Sequence, residues 1–201
     1  PDRKWKLDVK KQVWRPGETI IAGIGQGYVL ATPIQLALMT ARIANGGKKI
    51  KPTLLKSPIL QASNANSVKV SEKNLNIIKR AMEKVSLDEF GTGRNFRLGI
   101  KGVEMAGKTG TVQVRRISTK ERESEEGVIK NEDRIWEWRD HALYVGYAPM
   151  DKPRYAISVI VEHGGSGSSK AGPIARDIME ATLTDDPTRF IPKNPIKKPL
   201  I

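Results

Sequence analysis

The stretch Tyr155-Ala156-Ile157-Ser158-Val159-Ile160-Val161 is apolar at nearly every position. A half-wet strand alternates; a continuous apolar run belongs to a strand covered on both faces. Ala142–Ala148 precedes it as a second strand, and Pro149-Met150-Asp151-Lys152-Pro153 joins the two as a hairpin with five connecting residues. If Val103–Val114 completes a three-strand meander, Arg154–Glu162 becomes its outer strand. Folded proteins cover or pair such an edge, because its open N–H and C=O groups recruit other chains. The chain is therefore expected to be part of something larger, as its start at Pro1 without methionine also suggests. The missing cover is expected from swapping, from an intermolecular strand pairing, or from a co-folded N-terminal piece.

Val103–Val114 contains Gly107-Lys108-Thr109-Gly110-Thr111. Glycine weakens a strand, so its presence implies close approach by something else. As an edge strand beside a site, this segment would accept a peptide as an added strand. Gly107 and Gly110 would admit it, while Lys108 and Thr109 would offer a charge and a hydroxyl suited to a carboxylate. The Thr111 N–H would then face a reacting carbonyl as an oxyanion donor.

Elsewhere the chain punctuates itself. Residues 1–20 are polar, and Arg15-Pro16-Gly17-Glu18 reads as a loop. Thr32, Pro33 and Gln35 form a helix start, with Ile34, Leu38, Ala41 and Ala44 along one face and Gly46-Gly47 as the stop. Pro52–Leu55 looks extended and the Ser/Asn-rich stretch 61–67 is a loop. Ser71 caps a second helix with Leu75, Ile78, Met82 and Val85 on one side and Glu72 at its positive end. The mixed-charge run 115–139 reads as a solvated insertion, in which Trp136 and Trp138 either pack locally or mark a partner surface. A last helix runs from Pro173 to about Leu183 with Ile174 and Ile178 inward, followed from Asp186 by a flexible Pro/Lys-rich tail, 186–201.

Composition closes off several chemistries. With no cysteine, disulfides, thiol catalysis and thiolate metal sites are excluded. No apolar run approaches the roughly 20 residues that span a bilayer, and no signal peptide is visible. The net charge of +13 favours polyanions, but the basic residues are scattered without a nucleic-acid motif, so no nucleic-acid partner is expected. Gly23, Gly25 and Gly27 lack the dinucleotide and P-loop spacings and read as a turn. His141 and His163 have no ligand cluster nearby and read as structural or as loop polar groups. Gly164–Ser169 reads as a flexible connection, with a border of the substrate groove as the other reading, and Gly91-Thr92-Gly93 is assigned no chemistry.

Lys108-Thr109-Gly110 is similar to the third motif of the penicillin-binding proteins and serine β-lactamases. Four blocks surround it in order: Gly23–Ala37, Ala106–Gln113, Asp140–Pro149 and Val159–Met179. Together they resemble the later half of the transpeptidase domain of the elongation-specific class B penicillin-binding proteins, over most of the chain from Trp5 to Leu183. The resemblance implies an α/β fold of the α+β type: part of a five-stranded antiparallel sheet flanked by helices, with residues 1–185 as the C-terminal part of the domain. It supplies the strands that the apolar edge lacks. No serine here has lysine three positions on, and no Ser-x-Asn occurs. The nucleophile is thus absent, and these residues are expected to be inactive alone.

By resemblance, the whole protein would be a serine D,D-transpeptidase cross-linking peptidoglycan stem peptides. Lys108, Thr109 and Gly110 would bind the terminal carboxylate of the peptide or of a β-lactam, and Thr111 would be the catalytic backbone oxyanion donor. A membrane glycan polymerase and the rod-complex scaffold would be partners, on the periplasmic side of a bacterial inner membrane. No cofactor and no metal are expected. Two other readings share parts of this pattern: a D,D-carboxypeptidase or serine β-lactamase relative, and a non-catalytic basic binding module.

Overall fold

The structure, a computed structural model, describes residues 1–54, 66–115, 117–125 and 127–185. Leu55, most of the 61–67 stretch, two positions of the charged run and the tail from Asp186 lie outside them. The chain divides into two compact units, Pro1–Thr32 and a second beginning at Pro33.

The first unit corrects the loop reading of Arg15-Pro16-Gly17-Glu18 and adds helices to the polar stretch 1–20. It holds helices α1 (Arg3–Lys10) and α2 (Pro16–Gly23). Asp2 caps α1 by accepting the Trp5 N–H at 2.7 Å. Pro16 sits at the start of α2, where a missing N–H costs nothing, and Glu18 folds back onto the Arg15 N–H at 2.6 Å. Arg15-Pro16-Gly17-Glu18 thus has loop composition in a helix-starting arrangement. Glu18 also pairs with the buried Lys6, whose ammonium donates to the Val13 carbonyl at 2.9 Å. Gly25 and Gly27, at φ 76° and 72°, form the turn after α2 rather than an anion cradle.

The Arg15 N–H first, and Lys6 next, hold the Glu18 carboxyl below its ordinary value. The folded pKa is depressed, so this stabilisation is present above the unfolded value and is lost as pH falls through the folded one. The Arg15 amide resonance, followed by NMR, is expected to titrate below the free-glutamate value of about 4.3. A midpoint at that value would show that the pair contributes nothing.

The second unit is a sheet between helices. Strands β1 (Ala106–Val112), β2 (His141–Ala148) and β3 (Tyr155–Val161) form a three-stranded antiparallel meander in that order. Lys108 stands opposite Val145, Thr109 opposite Tyr144, and Gly110 opposite Leu143. Among the described residues β3 pairs with β2 alone, and all its residues are half-buried. Helices α3 (Pro33–Ala44) and α4 (Glu72–Leu87) meet one face, where Ala44, Met82, Ala106 and Tyr147 pack together. A short helix α5 (Thr119–Arg122) lies in the charged run. Helix α6 (Gly172–Asp185) serves the other face, packing Ala175, Met179 and Leu183 with Phe96, Met105 and Tyr144. Phe96 and Tyr144 meet edge to face, 5.2 Å between ring centres.

The helices form as expected, but their buried faces differ. On α6 the inward stripe is Ala175, Met179 and Leu183, while Ile174 and Ile178 remain 42% and 48% exposed. The small Ala175 lets α6 approach the sheet closely; an isoleucine stripe would hold it off. On α4, Leu75 and Met82 are buried as expected, Ile78 is exposed, and Ser86 is buried instead. On α3, Thr40 and Ala44 face inward and Ile34 does not.

Candidate active site

β1 reaches the edge of the sheet with its Lys-Thr-Gly segment accessible. The Glu104 carbonyl accepts the Met150 N–H at 2.9 Å, so even-numbered positions around β1 direct their backbone groups toward β2. Antiparallel pairing alternates, which turns the backbone of Thr109 and Thr111 to the outer edge. Lys108 is exposed, and its ammonium donates to the Thr109 carbonyl at 2.7 Å. The two Thr109 and Thr92 hydroxyl oxygens are 2.9 Å apart.

Two glycines have internal reasons. A Cβ on Gly107 would lie 2.0 Å from the Tyr144 hydroxyl oxygen and 2.5 Å from the Val145 carbonyl oxygen. Its space is taken by the Tyr144 ring, not kept for a ligand, which corrects the reading of Gly107 as room for substrate. Gly110 meets only the Leu143 Cβ, at 3.3 Å. On Gly167 a Cβ would fall 2.3 Å from the Leu143 carbonyl oxygen and 2.5 Å from that of Gly110. Gly167 opens a π-helical turn, Gly167–Ala171, that abuts the backbone where β1 pairs with β2. The segment read as a flexible connection is therefore partly packed against the site strand, and glycine is what lets it fit.

Tyr144 and Tyr147 point to opposite faces of β2, as its alternation requires. Burial pushes the Tyr144 phenol far up, and burial with the Glu83 charge pushes Tyr147 up to about 12. Both remain neutral at ordinary pH and neither serves as a base.

Beyond the C-terminal end of β1, the Nδ1 of His141 accepts the His163 N–H at 2.9 Å, and His163 Nδ1 meets the Arg139 carbonyl at 3.0 Å. Trp136 packs on His163 with 4.2 Å between ring centres. Both histidines thus hold loops together. The run 115–139 is less solvated than its charge suggests. Arg134, 8% exposed, pairs with Asp140 at 3.2 Å and donates to the Ile129 carbonyl at 3.0 Å. Among the described residues no three metal-ligating side chains gather.

An antiparallel sheet between helices, with Lys-Thr-Gly on its exposed edge strand, is the arrangement expected of a penicillin-binding transpeptidase fold. The chain belongs to the penicillin binding protein transpeptidase domain family, which matches residues 4–180. It is 37% identical over 194 residues to the peptidoglycan D,D-transpeptidase MrdA of Haemophilus influenzae, covering 91% of this chain and 28% of that protein. A crystal structure of Pseudomonas aeruginosa PBP2 in complex with WCK 5153 superposes with a TM-score of 0.74 at 36% identity, covering 98% of this chain and 39% of the other. The complex between PBP2 and MreC from Helicobacter pylori gives 0.70 at 33% identity, covering 92% and 30%. The chain therefore spans under a third of the curated relative's length and under two fifths of the P. aeruginosa chain.

Proposed function

We propose that these residues form one wall of the active site of a peptidoglycan D,D-transpeptidase acting in cell elongation. Residues 1–185 are the C-terminal part of its domain, and an earlier segment brings the Ser-x-x-Lys and Ser-x-Asn motifs. The observation that carries this is the outer edge of β1, where Lys108 and Thr109 sit beside an accessible backbone. A stem peptide lies along that edge as an added strand. The Lys108 ammonium and the Thr109 hydroxyl bind its terminal carboxylate, with Gly110 leaving the approach open, and the Thr111 N–H donates to the forming oxyanion.

The chemistry is two acyl transfers. The serine oxygen adds to the D-Ala-D-Ala amide carbonyl, and the C–N bond breaks. D-alanine leaves with a proton, and a serine ester remains. The amine of a neighbouring stem peptide then displaces the serine, forming the cross-link amide. β-Lactams enter by the same carboxylate contacts. A scaffold partner finds support in the PBP2–MreC complex from H. pylori. A glycan polymerase and periplasmic action from the inner membrane complete the proposal. Among the described residues no helix is long and apolar enough to cross a membrane.

Fluorescent penicillin tests this. The longer protein is expected to label and the 201-residue chain is not. In the longer protein, Lys108→Ala and Thr109→Val are expected to slow labelling on the order of 10- to 100-fold, the value of charge-assisted hydrogen bonds. Silence from the longer protein would remove the reading; labelling of the short chain would reveal a reactive serine within it. Cross-linked product separates a transpeptidase from a carboxypeptidase, which yields the hydrolysed tetrapeptide.

A further inference from the structure

Thr92 stands in the turn before β1, seventeen positions from the residue whose hydroxyl it meets. That turn is fixed on both sides. At its start a Cβ on Gly91 would fall 2.4 Å from the Val85 carbonyl oxygen, and the Gly93 N–H donates to that same oxygen at 2.7 Å. The turn thereby satisfies a carbonyl that the end of α4 leaves unpaired. Arg97 closes two more, donating to Ser86 at 2.6 Å and Leu87 at 2.8 Å. At the other side Phe96, 1% exposed, is set into the core against Tyr144 and Gly172. Between these anchors only Thr92 and two polar neighbours face outward, and the Thr92 hydroxyl falls 2.9 Å from that of Thr109.

A lone threonine hydroxyl rotates to suit whatever surrounds it. To bind a carboxylate, Thr109 has to donate its proton outward. A hydroxyl that also accepts a hydrogen bond is both oriented and made a stronger donor. We propose that Thr92 is a positioning residue for carboxylate recognition: its O–H donates to Thr109 Oγ1, and Thr109 in turn donates to the ligand carboxylate. This rests on the transpeptidase reading above and adds to it a residue outside the Lys-Thr-Gly segment. The ligand class is any acyl donor with a free carboxylate beside the scissile amide, peptide or β-lactam.

The test uses the longer protein and benzylpenicillin, with binding and acylation separated by stopped-flow kinetics. Thr92→Val, which keeps shape and loses the hydroxyl, is expected to weaken the pre-acylation complex about fivefold to tenfold, one neutral hydrogen bond's worth, with the acylation step little changed. Thr92→Ser is expected to recover to within about twofold, because it keeps the donor. Since Thr92 acts through Thr109, the Thr92→Val/Thr109→Val double variant is expected to be no worse than Thr109→Val alone. Additive losses would overturn the relay, since Thr92 would then be touching the ligand itself. A silent Thr92→Val, or a Thr92→Ser as weak as the valine variant, would also overturn it. Failure of the unsubstituted protein to acylate would instead defeat the transpeptidase reading itself.

Discussion

Gly167→Ala is expected to slow β-lactam acylation of the longer protein about 100-fold, the scale of an ångström's misplacement at a reacting centre. The strain falls on the backbone where β1 pairs with β2, so the effect is expected to pass through β1. The added methyl group would stand 2.3 Å from the Leu143 carbonyl oxygen, 2.5 Å from the Gly110 carbonyl oxygen and 2.9 Å from the Gly110 nitrogen. These are paired backbone atoms, not flexible side-chain ends, so relief requires either the strand or the turn to move. Overpacking of this kind costs on the order of 3 kcal/mol. Gly17→Ala in α2 is the control: its Cβ meets nothing within 4 Å, and it is expected to leave labelling unchanged. Labelling rates and denaturation midpoints of both variants decide the matter. A Gly167→Ala protein that labels at the normal rate would show the turn yielding instead of the strand.

Arg134→Ala is expected to open the segment from Ile129 to Asp140 without unfolding the sheet. The guanidinium bonds to both Asp140 oxygens at 3.2 Å and to the Ile129 carbonyl at 3.0 Å, with its side chain 6% exposed and that of Asp140 13%. Around it, Arg139 donates to the carbonyls of Arg134 and Glu132, each at 3.0 Å. Removing one partner of such a pair strands the other charge, at a cost of about 3–5 kcal/mol. Arg134→Lys is expected to fare little better, because one ammonium does not reproduce a fork that reaches a carboxylate and a carbonyl together. Hydrogen exchange is expected to show lost protection at Asp140 and at Gly165, whose N–H donates to the Asp140 carbonyl at 2.7 Å, while Tyr144 keeps its own. Unaltered exchange at Gly165 would show that the pair does not hold this corner.

The strands were legible because alternation and short connections are local, and β1, β2 and β3 fall close to the expected ranges. Helix positions were legible for the same reason, through Ser71 and Pro33. Their inward faces were not. Ile174 and Ala175 are neighbours, so two stripes one residue apart have the same period, and only the sheet beneath selects the smaller side chains. The N-terminal helices hid behind polar residues because a buried Lys6 needs its partner Glu18, twelve positions away, to make sense. Lys108 and Thr109 were visible as a motif. Thr92 and Gly167 were not, because each earns its role from a contact distant in sequence.

The Tyr144 ring under Gly107 gives β1 an uneven tolerance to substitution. At position 107 every side chain collides with a buried phenol and a backbone oxygen, so natural variation there is closed off. Lys108 and Thr111 are exposed, but their chemistry is the site's own. A lineage under drug selection that must keep the strand in place is left with the surroundings: the turn at Thr92, the residues beyond Val112, and the segment facing them. Resistance in a protein built this way is expected to accumulate around the motif rather than within it, and sequencing of β-lactam-selected survivors would map that boundary directly.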